Sequence, residues 1–384
     1  MSSHLSDTHI YMDLQIANND QNSNEPPPVL RFEETRNSPF LPGDSADYFV
    51  SILRFSVQTG NEIPVFIPSI ETGSNQMDIN RTIYKVTIQM GDGRSMTKTL
   101  VWRPWDLDAP RPPAPVLKQD ISNRYYYMTN YSHFVPMMND ALREAWMEIP
   151  GNQASYIPFI DFDPDTCKFS MHIERTQPGR GTKIFFNSRL YELLSSFPAI
   201  FTGNKGDMNY SLVFTNTREV SVRPIFIGAT PPQQPEVQNY FIQLFQEIAT
   251  VSLWSPVSSI VFTTSLLPIK STNTSQPKVF NDSSVSSSSL VSSGSPNLAN
   301  IITDFVIPIS ANNQYRPDML FKVESEYRLI DMYSMPNLNR IDISVWWQSV
   351  YGDLIPLHLQ PGCNASLKVL FRHRRFSEPI ETTS

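Results

Sequence analysis

Three aspartates occupy alternate positions in the stretch FIDFDPDTCKFSMHIE, which is how a calcium-binding loop begins. Asp161, Asp163 and Asp165 would supply the first three oxygen ligands of such a loop. The loop also needs a glycine at its sixth position and, at its twelfth, an acid that binds through both oxygens. Thr166 and His172 occupy those positions here. The stretch therefore favours a polar hairpin turn over a metal site.

The other residue types that could do chemistry form no catalytic motif. The loop QPGRGTK, Gln177–Lys183, resembles a phosphate cradle in composition but lacks the G-x-x-x-x-G-K-S/T spacing, so it predicts a turn. The six histidines are dispersed and lie outside any nucleophile motif. Cys167 and Cys363 are far apart, which indicates two small buried side chains rather than a disulfide or a zinc site. We expect no enzyme activity, no cofactor and no metal.

Composition favours a β-rich protein with a sizeable core. Of the 384 residues, 40% are hydrophobic, 11% are aromatic and only 17% are charged, and 32 are prolines. Prolines break helices and set turns, so this mix is typical of strands joined by rigid loops. The net charge of −7 disfavours direct binding to nucleic acid or to an anionic membrane. The dense basic cluster Arg372–Arg375 is interpreted as a solvated strand end in preference to a phosphate contact, because one short cluster neutralises few phosphates.

The apolar segments of the sequence do not have the pattern of targeting or membrane-spanning segments. The first thirty residues are polar and have no secretory signal pattern, and no apolar run approaches the roughly 18 residues of a membrane span. We therefore expect a chain that is made in the cytosol or nucleus.

Several local patterns predict the elements that would position these residues. The stretch Tyr84–Trp102 alternates around Gly-Asp-Gly and predicts a hairpin, because glycine supplies the positive φ angles of tight turns. Apolar residues at helical spacing predict a helix over 135–149, with Ser132 as its cap and Pro150 at its end. A second, shorter helix is predicted within Asn187–Phe197. Both helices would pack on a mainly-β framework.

Composition changes along the chain suggest a series of segments. The first is an extended arm in which Ile10, Met12 and Leu14 alternate with polar residues, so it could add a strand to a neighbouring subunit. The predicted segments are the N-terminal arm 1–46, a first β-rich segment 47–115, a β-rich segment 116–270 that contains the helix near 135–149, a serine-rich flexible loop 271–296, C-terminal strands 297–376 that complete the sandwich, and a tail 377–384.

Two adjacent tryptophans stand in a strand-like stretch near the C-terminus. Alternation places Ile341, Ile343, Val345 and Trp347 on one face and leaves Trp346 on the other. The first face fits a sandwich core, and Trp346 would then meet another layer, a neighbouring subunit or a ligand. The candidate interface residues are Trp346, Tyr351, Ile10, Met12 and Leu14. The alternative is that Trp346 is ordinary packing within the monomer.

Three stretches together resemble a known class of proteins. They are DYFVSILRFSVQTGNEIPVFIP, YYYMTNYSHFVPMMNDALREAW and EYRLIDMYSMPNLNRIDISVWWQSVYGDLIPLHLQPGCNASLKVLF. The succession is similar to jelly-roll capsid structural proteins of eukaryotic DNA viruses, of the polinton-like or virophage-like kind, over most of residues 46–376. The resemblance implies a mainly-β, viral-type jelly-roll sandwich, tandem or single with large insertions, with one or two short helices.

The resemblance also implies a function. The chain would be a structural component of a virus capsid that self-assembles through contacts with copies of itself and with other capsid proteins, in a virion assembled in the host cytoplasm or nucleus. The pattern leaves open a major or a minor vertex role. A different class of function, a β-sandwich attachment module, would recognise a host glycan or receptor by stacking Trp105 or Trp346 on it. Oligomeric state separates the two, because a shell protein forms closed symmetric assemblies.

Overall fold

The chain divides into two compact units, which we name by their place in the sequence. The sandwich unit comprises residues 1–63, 256–308 and 316–384, and the inserted unit comprises residues 64–255 and 309–315. The computed structural model describes residues 9–20, 27–73, 78–105, 110–150, 156–203, 206–215, 217–222, 225–226, 237–270, 278–279, 300–307, 318–322 and 328–376.

Strands dominate the described part of both units, and the described residues of the inserted unit include two α-helices. In chain order the elements are β1 (His9–Ala17), β2 (Arg31–Thr35), β3 (Tyr48–Gln58), β4 (Arg81–Gln89), β5 (Ser95–Val101), α1 (Phe134–Glu148), β6 (Tyr156–Ile157), β7 (Phe159–Asp163), β8 (Lys168–Glu174), β9 (Lys183–Phe186), α2 (Ser188–Leu193), β10 (Ala199–Phe201), β11 (Tyr210–Leu212), β12 (Arg218–Val222), β13 (Ile225–Phe226), β14 (Val237–Phe245), β15 (Val257–Thr264), β16 (Lys278–Val279), β17 (Asn300–Val306), β18 (Asp318–Lys322), β19 (Ile330–Asp331), β20 (Arg340–Ser349), β21 (Asp353–Pro356) and β22 (Asn364–His373).

The sandwich unit is built from two sheets. The first sheet has the order β1-β22-β3-β18, with β19 also paired to β3. In the second, β20 pairs with β15, which pairs with β17, while β2 and β21 pair with β20 and β16 pairs with β21. The eight principal strands are thus ordered first-eighth-third-sixth and second-seventh-fourth-fifth. This is the strand order of a single jelly roll, and the inserted unit enters between its third and fourth strands.

Aromatic side chains fill the space between the two sheets. Phe55 on β3 meets Phe262 on β15 edge to face, with ring centroids 5.0 Å apart. Phe305 on β17 and Phe321 on β18 stack at 5.5 Å and contact the first pair. All four are buried, as is Trp347. Offset and edge-to-face ring pairs of this kind stabilise beyond the area that they bury, so the four rings join the sheets at the centre of the roll.

The inserted unit has its own strands and its own core. Its larger sheets have the orders β10-β11-β9-β4-β5 and β12-β14-β8-β7, and β13 pairs with β6. Trp254 lies at the centre of an aromatic cluster, where it stacks on Phe169 at 5.4 Å and meets Phe66 and Phe134 at 5.0 Å. Both α1 and α2 contribute buried side chains to this core.

Both predicted helices are present, although one cap differs. The side chain of Asn130 accepts a hydrogen bond from the Ser132 backbone N–H and so caps the 3₁₀ turn that leads into α1. The prediction that Ser132 caps the helix is therefore wrong, because Ser132 already lies within the 3₁₀ turn that precedes α1. Asn187 accepts a bond from the Leu190 backbone N–H and caps α2.

The predicted hairpin is confirmed, and each of the two glycines in its turn is required for a different physical reason. Strands β4 and β5 pair in antiparallel register around the Gly-Asp-Gly turn. Gly93 has φ +90°, which glycine adopts without strain. Gly91 is required for another reason, because a Cβ there would lie 2.0 Å from the Arg180 carbonyl oxygen. The turn of QPGRGTK and the hairpin turn are thus in direct backbone contact.

The described part of the N-terminal segment forms strands of the sandwich unit. Strand β1 pairs along its whole length with β22, and β2 pairs with β20 of the same chain. The expected arm on a neighbouring subunit is corrected accordingly: in this structure both strands complete the chain's own sheets. The physical reason is that the apolar side chains Met12 and Leu14 are buried in the unit's own core.

Some predicted features lie outside the described residues. The serine-rich loop 271–296 is described only at residues 278–279, and the tail 377–384 is not described. No helix in the described part of the chain is long and apolar enough to cross a membrane.

Candidate assembly surfaces

The tryptophan pair is arranged as strand alternation predicts. Trp347 is fully buried between the sheets, while Trp346 lies on the opposite face of β20 and is half-buried. Pairing places Trp346 between Val261 of β15 and Pro356 of β21. The outer face of the second sheet therefore carries a large ring that is partly accessible to a partner.

The turn between β20 and β21 exposes two large apolar side chains. Tyr351 is 75% exposed and Val350 beside it is 56% exposed. The backbone around them is held firmly, because the Ser349 hydroxyl accepts hydrogen bonds from the N–H groups of Tyr351 and Asp353. Gly352 has φ +84°. A rigid turn that presents apolar groups to solvent has the character of an interface contact.

Strand edges form a second kind of candidate surface on the sandwich unit. Strand β1 is an edge of the first sheet. Among the described strands, β2 pairs only with β20, so its other side is also an edge. A groove of about 440 Å³ lies between them, with Asp13–Ile16 on one wall and Arg31–Glu34 on the other. On the far side of the roll, β18 and β17 are the opposite edges of the two sheets, and they expose Leu320 and Val306. Exposed strand edges present unpaired backbone groups that another chain can pair with.

The candidate interface residues of the N-terminal strand have different accessibilities. Met12 and Leu14 are buried, Ile10 is half-buried and Tyr11 is exposed. Met12 and Leu14 therefore support β1 from inside the roll, and a contact with another subunit would use the outward residues of this strand. Tyr11, Leu320 and Val306 were not among the residues that the sequence suggested, because only the sheet order shows that their strands are edges.

A buried carboxylate near the second sheet was also missed. Asp342 on β20 accepts hydrogen bonds from the Thr264 and Ser265 hydroxyls and from the backbone N–H groups of Ser265 and Leu266. Arg31 of β2 donates to it at 3.1 Å. Burial opposes ionisation, but these donors together hold the pKa of Asp342 below its usual value. Asp342 thus fixes the end of β15 and anchors β2.

The residues that suggested metal or phosphate chemistry have structural roles. Asp163 accepts hydrogen bonds from the Asp165 N–H and the Thr166 hydroxyl, which caps its own turn and lowers its pKa. Gln177 is buried and accepts a bond from the Thr182 hydroxyl inside the QPGRGTK loop. Within the described ranges, no group of three His, Cys, Asp or Glu side chains could hold a metal ion.

The cysteines and the exposed tryptophan are the remaining residues that the sequence singled out. Cys167 is buried as expected, whereas Cys363 is only partly buried, and the two are not joined in a disulfide. Trp105 is 56% exposed and meets the His133 ring edge to face at 5.4 Å. Trp346 is a poor stacking platform for a glycan because its ring is half-buried against the sheet. The candidate assembly surfaces among the described residues are apolar turns and strand edges.

A single jelly roll is an architecture found in viral capsid proteins and also in lectins and cupins, so the relatives of the chain decide among these classes. A family model described as Sputnik minor capsid protein V18/19 matches residues 10–373. The chain belongs to this family, and it is a structural component of a virus capsid and of the virion. The resemblance to virophage-like capsid proteins that the sequence suggested is confirmed.

Individual relatives agree with the family assignment. The chain is 32% identical over 156 residues to the uncharacterized protein V18 of Sputnik virophage, covering 39% of this chain and 90% of that protein. It is 27% identical over 225 residues to the structural protein V19 of the same virophage, covering 56% of this chain and 94% of that protein.

Solved structures have the same fold. A chain in the 3.5 Å cryo-EM structure of the Sputnik virophage matches with a TM-score of 0.74 and 26% identity, covering 97% of this chain and 99% of that one. The crystal structure of the mavirus penton protein matches with a TM-score of 0.59 and 18% identity, covering 95% and 99%. The mainly-β jelly-roll fold predicted from the sequence is thus confirmed.

Proposed function

We propose that this chain assembles with copies of itself into a closed ring at a vertex of the capsid, and that the ring contacts other capsid proteins. The family is that of a minor capsid protein, and the mavirus protein whose fold is similar is a penton protein. A penton is the ring of subunits at a five-fold vertex. The role requires neither catalysis nor a cofactor.

The observation that carries this proposal is the pair of open sides on the sandwich unit. Strands β1 and β2 are unpaired along one side of the roll, and β17 and β18 are unpaired along the other in the part of the chain that the structure describes. Two different surfaces on opposite sides of one subunit support head-to-tail contacts, and such contacts generate a ring when the rotation between subunits closes. Soluble monomers normally protect such edges.

Tyr351, Val350 and Trp346 are the apolar groups that we assign to contacts with neighbours. A large exposed aromatic side chain on a rigid turn is a suitable anchor, because little conformational entropy is lost when it is buried. Trp346 offers the accessible part of its ring on the outer face of the second sheet. Ile10 adds partly exposed apolar surface on β1, while Met12 and Leu14 keep that strand in place.

Native mass spectrometry and negative-stain microscopy of the purified full chain test the proposal. We expect rings of five copies whose population rises with protein concentration. Tyr351→Ser should reduce the ring fraction without lowering the melting temperature. Leu253→Ser is the matched control, because Leu253 is 77% exposed in the inserted unit and its loss should leave assembly unchanged. A chain that stays monomeric at all concentrations would contradict the proposal, and rings that form equally well without Tyr351 would contradict its assignment as a contact residue.

A further inference from the structure

The outward face of the first sheet carries a row of charged residues across four strands. Register places Asp13 of β1 opposite Lys368 of β22, Lys368 opposite Arg54 of β3, and Arg54 opposite Lys322 of β18. The next residue on each strand points inward and is buried, namely Leu14, Leu367, Phe55 and Phe321. Because neighbouring residues on a strand face opposite ways, the row lies on the outer surface. Its one acid, Asp13, stands at the sheet edge.

A second group of cations lies further along the same face. Register places Arg372 of β22 between His9 of β1 and Phe49 of β3. The guanidinium of Arg374 lies 4.4 Å from the centre of the Phe49 ring, and it donates to Asp331 at 2.6 Å. Part of the basic cluster Arg372–Arg375, which the sequence predicted to be a solvated strand end, therefore belongs to this surface. We name Arg54, Lys322, Lys368, Arg372 and Arg374 together the basic face.

Cations outnumber acids on this surface, although the whole chain carries a net charge of −7. The Asp13 carboxylate forms ion pairs with two cations at once, the guanidinium of Arg54 at 3.6 Å and the ammonium of Lys368 at 3.4 Å. The side chains of Arg54 and Lys368 remain 42% and 32% exposed. Asp331 pairs with Arg374, and Ser56 and Ser366 lie beside the row, on its side away from Arg372, as neutral hydroxyl donors. The basic face thus has a local positive charge that the composition conceals, because net charge averages over all surfaces.

The spacing of these cations suits a regular polyanion. Four residues of strand separate Lys368 from Arg372, which is about 13 Å at roughly 3.3 Å per residue. The major groove of a DNA duplex is about 12 Å wide, with a phosphate backbone on each side. Adjacent strands lie about 4.8 Å apart, so the row from Lys368 to Lys322 extends about 10 Å along one backbone. A positive face of this breadth lies across the two phosphate backbones, and contacts to phosphates carry no sequence information.

We propose that the basic face binds the phosphate backbone of double-stranded DNA without reading its sequence. Arg54, Lys322 and Lys368 contact one backbone, Arg372 and Arg374 contact the other, and the Ser56 and Ser366 hydroxyls beside the row donate to phosphate oxygens of the first backbone. This differs from the expectation that net charge alone gave. The proposal does not depend on ring formation, because each sandwich unit carries a complete basic face.

Fluorescence anisotropy with a labelled duplex of about 20 base pairs tests the proposal on the full chain. The triple variant Arg54→Gln, Lys322→Gln, Lys368→Gln should weaken binding by about tenfold or more at low salt, because it removes three cations that pair with phosphates. The dependence of log affinity on log salt should become shallower by up to about 0.9 for each phosphate that is no longer neutralised. Two duplexes of unrelated sequence should bind equally well.

The matched control removes three cations from the inserted unit: Arg175→Gln, Lys183→Gln and Arg189→Gln, all at exposed positions. It changes the net charge equally and should leave binding unchanged. If the triple variant melts early, Lys322→Gln alone serves, since this exposed edge residue should still give a measurable decrease in affinity and a shallower salt dependence. Absence of binding, an equal decrease in the control, or equal competition by polyglutamate of matched charge would overturn the assignment to DNA.

Discussion

The indole N–H of Trp346 donates a hydrogen bond to Oγ1 of Thr263 at 2.7 Å, from β20 to the neighbouring β15. This bond lays the ring along the outer face of the second sheet and over a hydroxyl that is itself buried. Trp347, the next residue, lies inside the roll. The two adjacent tryptophans therefore lie in different environments: Trp347 is in the core of the monomer, and Trp346 is half-buried on the outer surface of the second sheet.

The first prediction compares these two residues. Trp347→Ala should lower the free energy of unfolding by about 3–5 kcal/mol, the usual cost of deleting a buried aromatic side chain. Trp346→Ala should cost only about 1–2 kcal/mol, because it removes one hydrogen bond and part of a half-buried ring, and it should also weaken assembly. Chemical denaturation and sedimentation of both variants measure the two effects. Equal costs with normal assembly would mean that both rings serve only the core.

The second prediction concerns the carboxylate of Asp342. Asp342→Asn should destabilise the protein by about 1–3 kcal/mol at pH 7, because the amide cannot accept from all of the donors that surround the carboxylate. The folded pKa lies below the ordinary 3.8, so the stabilisation is present above pH 3.8 and is lost as the pH falls through the folded pKa. The stability difference between the two proteins should therefore shrink in strong acid. A difference that is independent of pH would exclude the charge as the cause.

The third prediction concerns His172 on β8. Its ring stacks on Phe159 at 4.5 Å, and burial lowers its pKa to about 4 from 6.5. The folded state holds the neutral ring, whereas the unfolded chain takes up a proton below pH 6.5. The free energy of unfolding is therefore not reduced by His172 above pH 6.5. Between pH 6.5 and pH 4 it should fall by roughly 3 kcal/mol, at 1.36 kcal/mol for each pKa unit.

Denaturation of the wild type and of His172→Gln between pH 7 and pH 4 measures this dependence. The variant should be less stable at pH 7 but should lose less stability on acidification. Parallel curves for the two proteins would show that other groups cause the acid sensitivity.

The fourth prediction uses two glycines of one turn. Gly91→Ala should destabilise the inserted unit, because the new methyl group would lie 2.0 Å from the Arg180 carbonyl oxygen. Gly93→Asn is the matched control: its position is open, and asparagine tolerates a positive φ better than most residues. Thermal melting should show a much larger decrease for Gly91→Ala. If both variants melt alike, the close backbone contact between the two turns is not important for stability.

Local patterns in the sequence predicted local structure well. The hairpins, both helices and the faces of Trp346 and Trp347 follow from periodicity, because a one-residue slip would expose the whole apolar set of a strand. Pairing between distant segments could not be predicted in this way. The polar composition around β1 concealed its membership of the first sheet, since its partner β22 lies at the other end of the chain.

The candidate surfaces depend on the same long-range information. Arg54, Lys322 and Lys368 are far apart in sequence, and only the register of three strands brings them into one row. The sequence also could not distinguish a single jelly roll from two in tandem. Both units are rich in strands, so composition gives no signal at the point where residues 64–255 interrupt the roll.

The insertion also determines the order in which the protein can fold as it is synthesised. Strand β3 needs β22 beside it, and β1 needs the other side of β22. Neither of these strands can complete its sheet until nearly the whole chain has left the ribosome, while residues 64–255 can collapse much earlier around their own core. The strand edges that we assign to subunit contacts therefore form last. A chain that ends before β22 lacks the strand that pairs with both β1 and β3, so its first sheet stays incomplete.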